Sequence, residues 1–305
     1  MFGMLEVVIG LIFVLLLLSL LATTVMELLS SLLALRGKNL EKALRNMLAS
    51  ADAQARTYEA FTNNPMYRQM SQRRRAPSYL SADTFQSILL HVLLKGEGSD
   101  QLVQKIEALP DENLKQVLLQ LLQDADYQVD RFRDNMRTWY DQVMDRAAGW
   151  YKRNVQRILL VVGLLIAVIF NADTIAIYDR LESDPESLEQ IVRMAEQFLA
   201  ENPEGMLTDS VRTSVSEGTT AYGQAWEKIG VLINEEIDQA ATPLGLGWGN
   251  VAVQELTWYE WLYKVLGWIV TALAVSLGAP FWFDLLRKLV NIRGSGRKPD
   301  STTST

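Results

Sequence analysis

Residues 5–35 read LEVVIGLIFVLLLLSLLATTVMELLSSLLAL, and no charged side chain lies between Glu6 and Glu27. A helix needs about 20 predominantly apolar residues to cross a hydrocarbon core about 30 Å thick. This run meets that length. A cleaved signal peptide would begin with basic residues and end after a short apolar core. Here no Lys or Arg precedes Arg36, and the apolar run is too long. The stretch therefore reads as a retained membrane helix, and the rest of the chain is read around it.

Two more runs have the required character: ILLVVGLLIAVIFNADTIAI (158–177) and VLGWIVTALAVSLGAPFWF (265–283). Between them the apolar residues recur at helical spacing, and no alternating strand pattern persists. The expected fold is all-α. It is an integral membrane protein with three transmembrane helices, a cytoplasmic helical domain and a smaller acidic extracytoplasmic helical segment. The boundaries are residues 1–35 for the first span, 36–157 for the inner domain, 158–177 for the second span, 178–257 for the outer segment, 258–288 for the third span, and 289–305 for a basic, then Ser/Thr-rich disordered tail.

Charge sets the expected orientation. The 36–157 segment carries 19 Lys and Arg against 15 Asp and Glu, whereas 178–257 carries 4 against 15. The overall net charge of −7 hides this polarity. Lys and Arg close to span ends stay on the cytoplasmic side. Arg36, Lys38, Lys42 and Arg45 follow the first span, Lys152, Arg153 and Arg157 precede the second, and Arg287, Lys288 and Arg293 follow the third. All three groups predict an outer N-terminus and a cytoplasmic C-terminus. In MDRAAGWYKRN (144–154), Trp150 and Tyr151 fit head-group depth. Together with Lys152, Arg153 and Arg157 they form a cytoplasmic membrane collar, with Gly149 as a weak point of the helix. WYEWLYKVLGW (258–268) is the outer aromatic belt, and Trp282 lies near the inner one.

The inner domain predicts helix throughout. The first span runs on through RGKNLEKALRNMLASADAQ, and TNNPMYRQMSQRRRAPS is a loop. Ser81 or Asp83 caps the next helix. From Pro110 and Asp111 one long helix, or two nearly collinear ones, enters the second span. Leu114, Val117, Leu118, Leu121, Leu122, Ala125, Val129, Phe132 and Met136 form its apolar stripe. That stripe packs on its own domain or on a partner. In the outer segment, DPESLEQIVRMAEQFLAENPEG is one helix and residues 208–241 another in two pieces. TPLGLGWGN is a turn-rich loop.

Chemistry is sparsely represented. There is no cysteine and one histidine, His91, in an apolar helical stretch where a structural role is expected. Thiolate sites, the usual zinc sets and Ser-His or Cys-His dyads lack parts. No phosphate-binding, dinucleotide or hydrolase motif occurs. The expectation is a non-enzyme with no cofactor and no metal. Asp130, Asp134, Asp141 and Asp145 share a helical stripe, best read as a solvated face laced with arginines. Arg73, Arg74 and Arg75 are candidates for contact with anionic lipid or a partner. Three arginines in an acidic chain do not make a nucleic-acid surface.

Polar residues inside spans carry more weight, because lipid makes them costly. These are Glu27, Asn171, Asp173 and Asp284. Helix-helix pairing is the leading reading for them, and an ion or proton relay through Glu27 and Asp173 the other. Pro280 predicts a kink, with Thr271 or Ser276 serving the freed carbonyl.

Three blocks resemble an uncharacterised group of bacterial three-span inner-membrane proteins. They are TTVMELLSSLLALRGKNLEKALRNML (23–48), WYDQVMDRAAGWYKRNVQRILLVVGLLIAVIFNADTIAI (139–177) and TALAVSLGAPFWFDLLRKLVNIRGSGRKP (271–299). The resemblance implies the bacterial inner membrane and supplies no catalytic or ligand residue. The functional expectation is a membrane scaffold or anchor that engages protein partners through its cytoplasmic helices and self-associates. The alternative is a subunit of an oligomeric channel or transporter using Glu27, Asn171 and Asp173.

Overall fold

The computed structural model describes residues 2–49, 56–71, 76–203, 227–244, 246–249 and 257–295. Among these the chain is all helical, without strands. It divides into two units: residues 32–154 form one, and residues 1–31 with 155–305 the other.

After α1 (Phe2–Leu32), the 32–154 unit is assembled from α2 (Leu35–Leu48), α3 (Arg56–Thr62), α4 (Pro65–Met70), α5 (Ala82–Leu94), α6 (Leu102–Glu107), α7 (Glu112–Gln123) and the first part of α8 (Val129–Ile169). The cap residues stop and start these helices locally. The Asn64 side chain accepts from Met66 N at 2.9 Å, Ser81 Oγ from Thr84 N at 3.2 Å, and Asp111 from Leu114 N at 3.0 Å. Ser81, rather than Asp83, is thus the cap of α5. Each such cap stabilises its helix by about 1 kcal/mol. The core is aromatic at its centre. Phe85 is fully buried and stacks on Tyr140 (4.5 Å between centroids), with Phe61 and Trp139 at its other edges. The buried Tyr140 hydroxyl donates to Leu80 O at 2.6 Å.

The pattern from Asp111 onward predicts one long helix or two collinear ones. The structure has neither. Asp126 and Tyr127 both take left-handed φ values, 52° and 60°, and end α7. Asn135 Nδ2 then donates to Leu121 O at 3.0 Å. Fourteen residues of straight helix would separate these groups by about 21 Å, so the chain doubles back. The apolar stripe folds onto itself: Leu114, Leu118, Leu122, Ala125, Phe132 and Met136 are all buried in this unit's own core. The first span does not run on into the inner domain either. α1 ends at Leu32, and Ala34, with φ 49°, precedes α2.

The second unit is built around α1 (Phe2–Leu32), among the described residues the one helix long and apolar enough by itself to cross a membrane. It is apolar on all sides, which suits a helix with neighbours or lipid all round. Gly10 lies against Leu181 and Ile191, and Phe13 packs edge-on to Phe198 at 5.8 Å. Ser19 and Thr24 are buried on α1, and their hydroxyls donate to the carbonyls of Leu15 (2.6 Å) and Leu20 (2.9 Å), so no polar group is orphaned there. Around it are the end of α8, α9 (Thr174–Ser183), α10 (Pro185–Glu201), α11 (Asp238–Leu244) after a π-helical turn (Leu232–Ile237), α12 (Trp258–Ser276) and α13 (Ala279–Ser295). The segment 208–226, expected to hold a helix, lies outside the described residues, as do Arg73, Arg74 and Arg75.

Neither of the other two apolar runs is one helix. The 158–177 run ends α8 at Ile169 and restarts at Thr174 after a 50° bend. The 265–283 run breaks at Leu277 and Gly278 with a 91° bend. These pairs qualify as spans only if each bent pair is counted as one. The turn-maker is Gly278, with φ 87°, and not Pro280, which sits in the first turn of α13 where its missing N–H costs nothing. Trp282 is buried and donates its indole N–H to Ala274 O at 2.8 Å, a carbonyl that also accepts from Leu277 N at 3.1 Å, so its side chain brackets the break. The residues from 289 to 295, expected in a disordered tail, continue α13, because Leu285, Leu286, Leu289 and Val290 keep its apolar face packed.

The bend has a consequence for sidedness. Three straight spans would put Arg293 on the opposite face from Glu6 and Glu196. Instead Arg293 Nη2 lies 2.9 Å from Glu6 Oε1 and Nη1 lies 2.6 Å from Glu196 Oε1. The beginning of α1, the end of α13 and α10 share one side of this unit.

Candidate functional site

In the second unit, hydrogen bonds from distant parts of the chain gather at the break between α8 and α9. Asn171, with φ 49°, turns the chain, and Asp173 restarts it. Asp173 Oδ1 accepts from Ile175 N at 2.9 Å and Ala176 N at 3.3 Å, so the buried carboxylate caps α9. That is a structural task for a residue expected either to pair helices or to relay protons.

A break in an apolar segment frees carbonyls that water cannot reach. Here distant parts of the chain meet them. Gly247 N donates to Phe170 O at 2.7 Å, and Trp248 Nε1 to Val168 O at 2.9 Å. Thr271 Oγ1 lies 2.8 Å from Ala172 O and 2.9 Å from Gly267 O, to which its single hydrogen is offered. The same oxygen accepts from Thr174 N at 3.1 Å and contacts the Thr174 hydroxyl at 2.7 Å. Thr271 therefore serves the α8–α9 break and not the Pro280 turn. Asn171 Nδ2 donates to Gly247 O at 2.9 Å.

Gly267 makes the approach of α12 feasible. A Cβ at this position would overlap the Asp173 carboxylate. Lys264 Nζ lies 5.9 Å from the ring centroids of both Trp248 and Trp268, a cation-π arrangement. Among the described residues two buried polar atoms find no partner: Asn171 Oδ1 and Trp268 Nε1. The break thus retains one free acceptor and one free donor.

The other expected site residues are scattered. Glu27 is half-buried on α1, and Asp284 is exposed on α13. In the 32–154 unit Trp150, Lys152 and Arg153 of the collar are exposed and Tyr151 is half-buried, whereas Arg157 is exposed in the other unit. Of the acidic stripe, Asp130 pairs with Arg133 at 3.1 Å and Asp134 with Arg137 at 3.0 Å, as a solvated ionic face requires. His91 is exposed on α5. It lines an open cleft of about 190 Å³ with Glu97 and Arg133, whose charges are already paired with Lys105 and Asp130. Among the described residues no group of three or more His, Cys, Asp or Glu side chains could hold a metal ion.

Sequence reasoning found Asn171 and Asp173 but missed Gly267, Thr174, Trp248 and Lys264. A Gly and a Thr four residues apart in α12 were the available signal, since small residues at that spacing allow close helix contact. No family model, curated protein or solved structure matches this chain.

Proposed function

We propose that the chain is a membrane-anchored helical scaffold of the bacterial inner membrane. Its 32–154 unit stands in the cytoplasm and engages protein partners. The observation that carries the reading is the contrast in surface between the units. In the second unit α8 exposes Val161, Leu165 and Ile169, and α12 exposes Leu262, Leu266, Ile269, Leu273 and Leu277. Large apolar side chains exposed at helical spacing along these two helices suit lipid. The 32–154 unit has a complete core of its own and a charged surface.

The pairing of Arg293 refines the expected topology. An ion pair cannot straddle about 30 Å of hydrocarbon. In our reading α1 and the α8–α9 pair cross, while α12 and α13 enter and return on the side of the N-terminus. Both termini and residues 178–257 are then outside. Arg293 is neutralised by Glu6 and Glu196, so it no longer counts as a free cytoplasmic signal. The Lys and Arg flanking residues 36–157 keep that unit inside.

For partner binding, the surface left open is α4 and its surroundings, where Met66, Met70 and Tyr79 are exposed. A photo-crosslinking residue at Tyr79 in living cells should give discrete protein adducts that Met66→Glu abolishes, and one at Glu112 should not. Equal labelling at both positions would remove the scaffold reading.

One observation favours the channel or transporter alternative: two apolar runs break in their middle, and Asn171 Oδ1 is left buried without a partner. Discontinuous helices mark ion and substrate sites in many transporters. Ion flux in proteoliposomes that disappears in Asn171→Leu or Glu27→Gln would establish that alternative in place of the scaffold.

A further inference from the structure

We infer that one end of the 32–154 unit, where the first turn of α2 meets α8, is a binding surface for anionic phospholipid head groups. This rests on the membrane reading above and adds a ligand to it. Three stretches remote in sequence come together there. Asn39 Nδ2 donates to Ala147 O at 3.2 Å, which pins the start of α2 beside α8. Gly37 faces the backbone of Ala76, whose carbonyl oxygen is 2.6 Å from where a Cβ would stand. That approach requires glycine.

Cations outnumber carboxylates around this junction. Arg36, Lys38, Arg146, Lys152 and Arg153 are all exposed, against Glu41 and Asp145. The telling comparison lies within α8 itself. Farther along the helix, Arg131 pairs with Asp126 at 2.7 Å, Arg133 with Asp130 at 3.1 Å, and Arg137 with both Asp83 and Asp134. None of the five cations at the junction lies within ion-pair distance of a carboxylate among the described residues. Arginines and lysines without a carboxylate partner are free to hold phosphate.

Apolar side chains stand among them: Leu32 at 46% exposure, Leu33 at 48% and Trp150 at 48%. Leu and Trp mixed with cations match the head-group region, where apolar stems enter the lipid and charges stay at the phosphate level. Leu32 is also the last residue of the apolar α1. An acidic protein partner would use the cations but gains nothing from being held at the end of a membrane helix.

The test uses the full chain in phosphatidylcholine vesicles, after alkaline carbonate washing has shown it to be inserted. Spin-labelled phosphatidylglycerol and spin-labelled phosphatidylcholine are compared for the fraction immobilised at the protein. Each cation near a charged surface adds appreciably to anionic-lipid attraction, so a preference of at least about threefold for the anionic label is expected. Changing Arg36, Lys38, Lys152 and Arg153 to Gln should bring it to about parity, and adding salt should do the same to the wild type. Changing Arg131, Arg133 and Arg137 to Gln should leave it in place. No preference in the inserted wild type, or an equal loss in the control variant, overturns this inference alone. Release of the chain by carbonate instead overturns the membrane reading. Binding of soluble polyglutamate through the same four residues, without lipid preference, would assign the surface to an acidic protein.

Discussion

The two units share one way of starting a helix and differ at its breaks. In the 32–154 unit Asn64, Ser81 and Asp111 each serve a backbone N–H two or three residues on, and in the other unit Asp173 and Asp184 do the same. In the other unit, however, the helix breaks also take bonds from far along the chain. Trp248 reaches Val168, Gly247 reaches Phe170, and Thr271 reaches Ala172. Where water is close, an end needs one cap, and solvent meets the remaining groups. Where the surroundings are apolar, every freed carbonyl must find a protein donor. The cores differ likewise, with stacked aromatics in one unit and an aliphatic sheath around α1 in the other.

The largest expected effect tests whether the units are energetically separate. Phe85 is fully buried among Phe61, Trp139 and Tyr140. Phe85→Ala should cost about 3–5 kcal/mol. Hydrogen exchange followed by peptide should show protection collapsing across α5, α7 and the first part of α8, and persisting in α1 and α12. A matching loss in α12 would mean that the two units unfold as one.

Next in size is Gly267→Ala. The added methyl would overlap the Asp173 carboxylate, so either the α9 cap or the α12 contact must give way. Overpacking of this kind costs about 1–3 kcal/mol, and the change should appear as lost protection in α9, with α5 unaffected. Gly267→Ser behaving like wild type would show that the break is soft and the polar cluster incidental.

These two sites also show what the sequence discloses and what it conceals. α1 is legible because composition alone determines it, and Ser81 and Asp111 because a cap and its helix are adjacent. The chain reversal at Asp126 and Tyr127 is not legible: neither residue is Gly or Pro, and only packing of the stripe onto itself justifies two left-handed residues in succession. Asn171 and Asp173 stand out as polar groups in an apolar run. The distant bonds at this break, Asn171 to Gly247, Thr174 to Thr271 and Ala172 to Thr271, span 76 to 99 residues, and no periodicity links positions so far apart. At the third run Pro280 is visible and Gly278 looks ordinary, yet the glycine makes the turn. The partners of Arg293 are hidden for a related reason. In the sequence it counts as a free charge, and only the structure sets Glu6 and Glu196 beside it.

That trio provides a smaller and sharper test. Arg293→Gln removes two partly exposed ion pairs, which screening limits to about 1 kcal/mol together. The destabilisation should shrink as salt is added and should be confined to α1, α10 and α13. A reporter fused after Ser295 should give the same side as one fused before Met1. Opposite sides would break the re-entrant reading and restore three straight crossings.

The smallest expected effect concerns pH and the aromatic unit. Burial, reinforced by Glu41, pushes the Tyr58 phenol up to about 12, and burial does the same for Tyr67. A value raised above the unfolded 10 means that folding favours the neutral phenol. The associated stability is therefore fully present below about pH 10 and is lost as pH rises through about 12. Thermal unfolding of the 32–154 unit, followed by exchange in α5, should fall across that window. Tyr58→Phe has no proton to lose and should flatten part of the fall. Glu41→Gln removes the second cause and should lower the Tyr58 value without abolishing its shift, because burial comes first. If Glu41→Gln returned Tyr58 fully to the ordinary range, a surface carboxylate rather than the aromatic core would control this edge of the unit, and the contrast between the two cores would lose its alkaline signature.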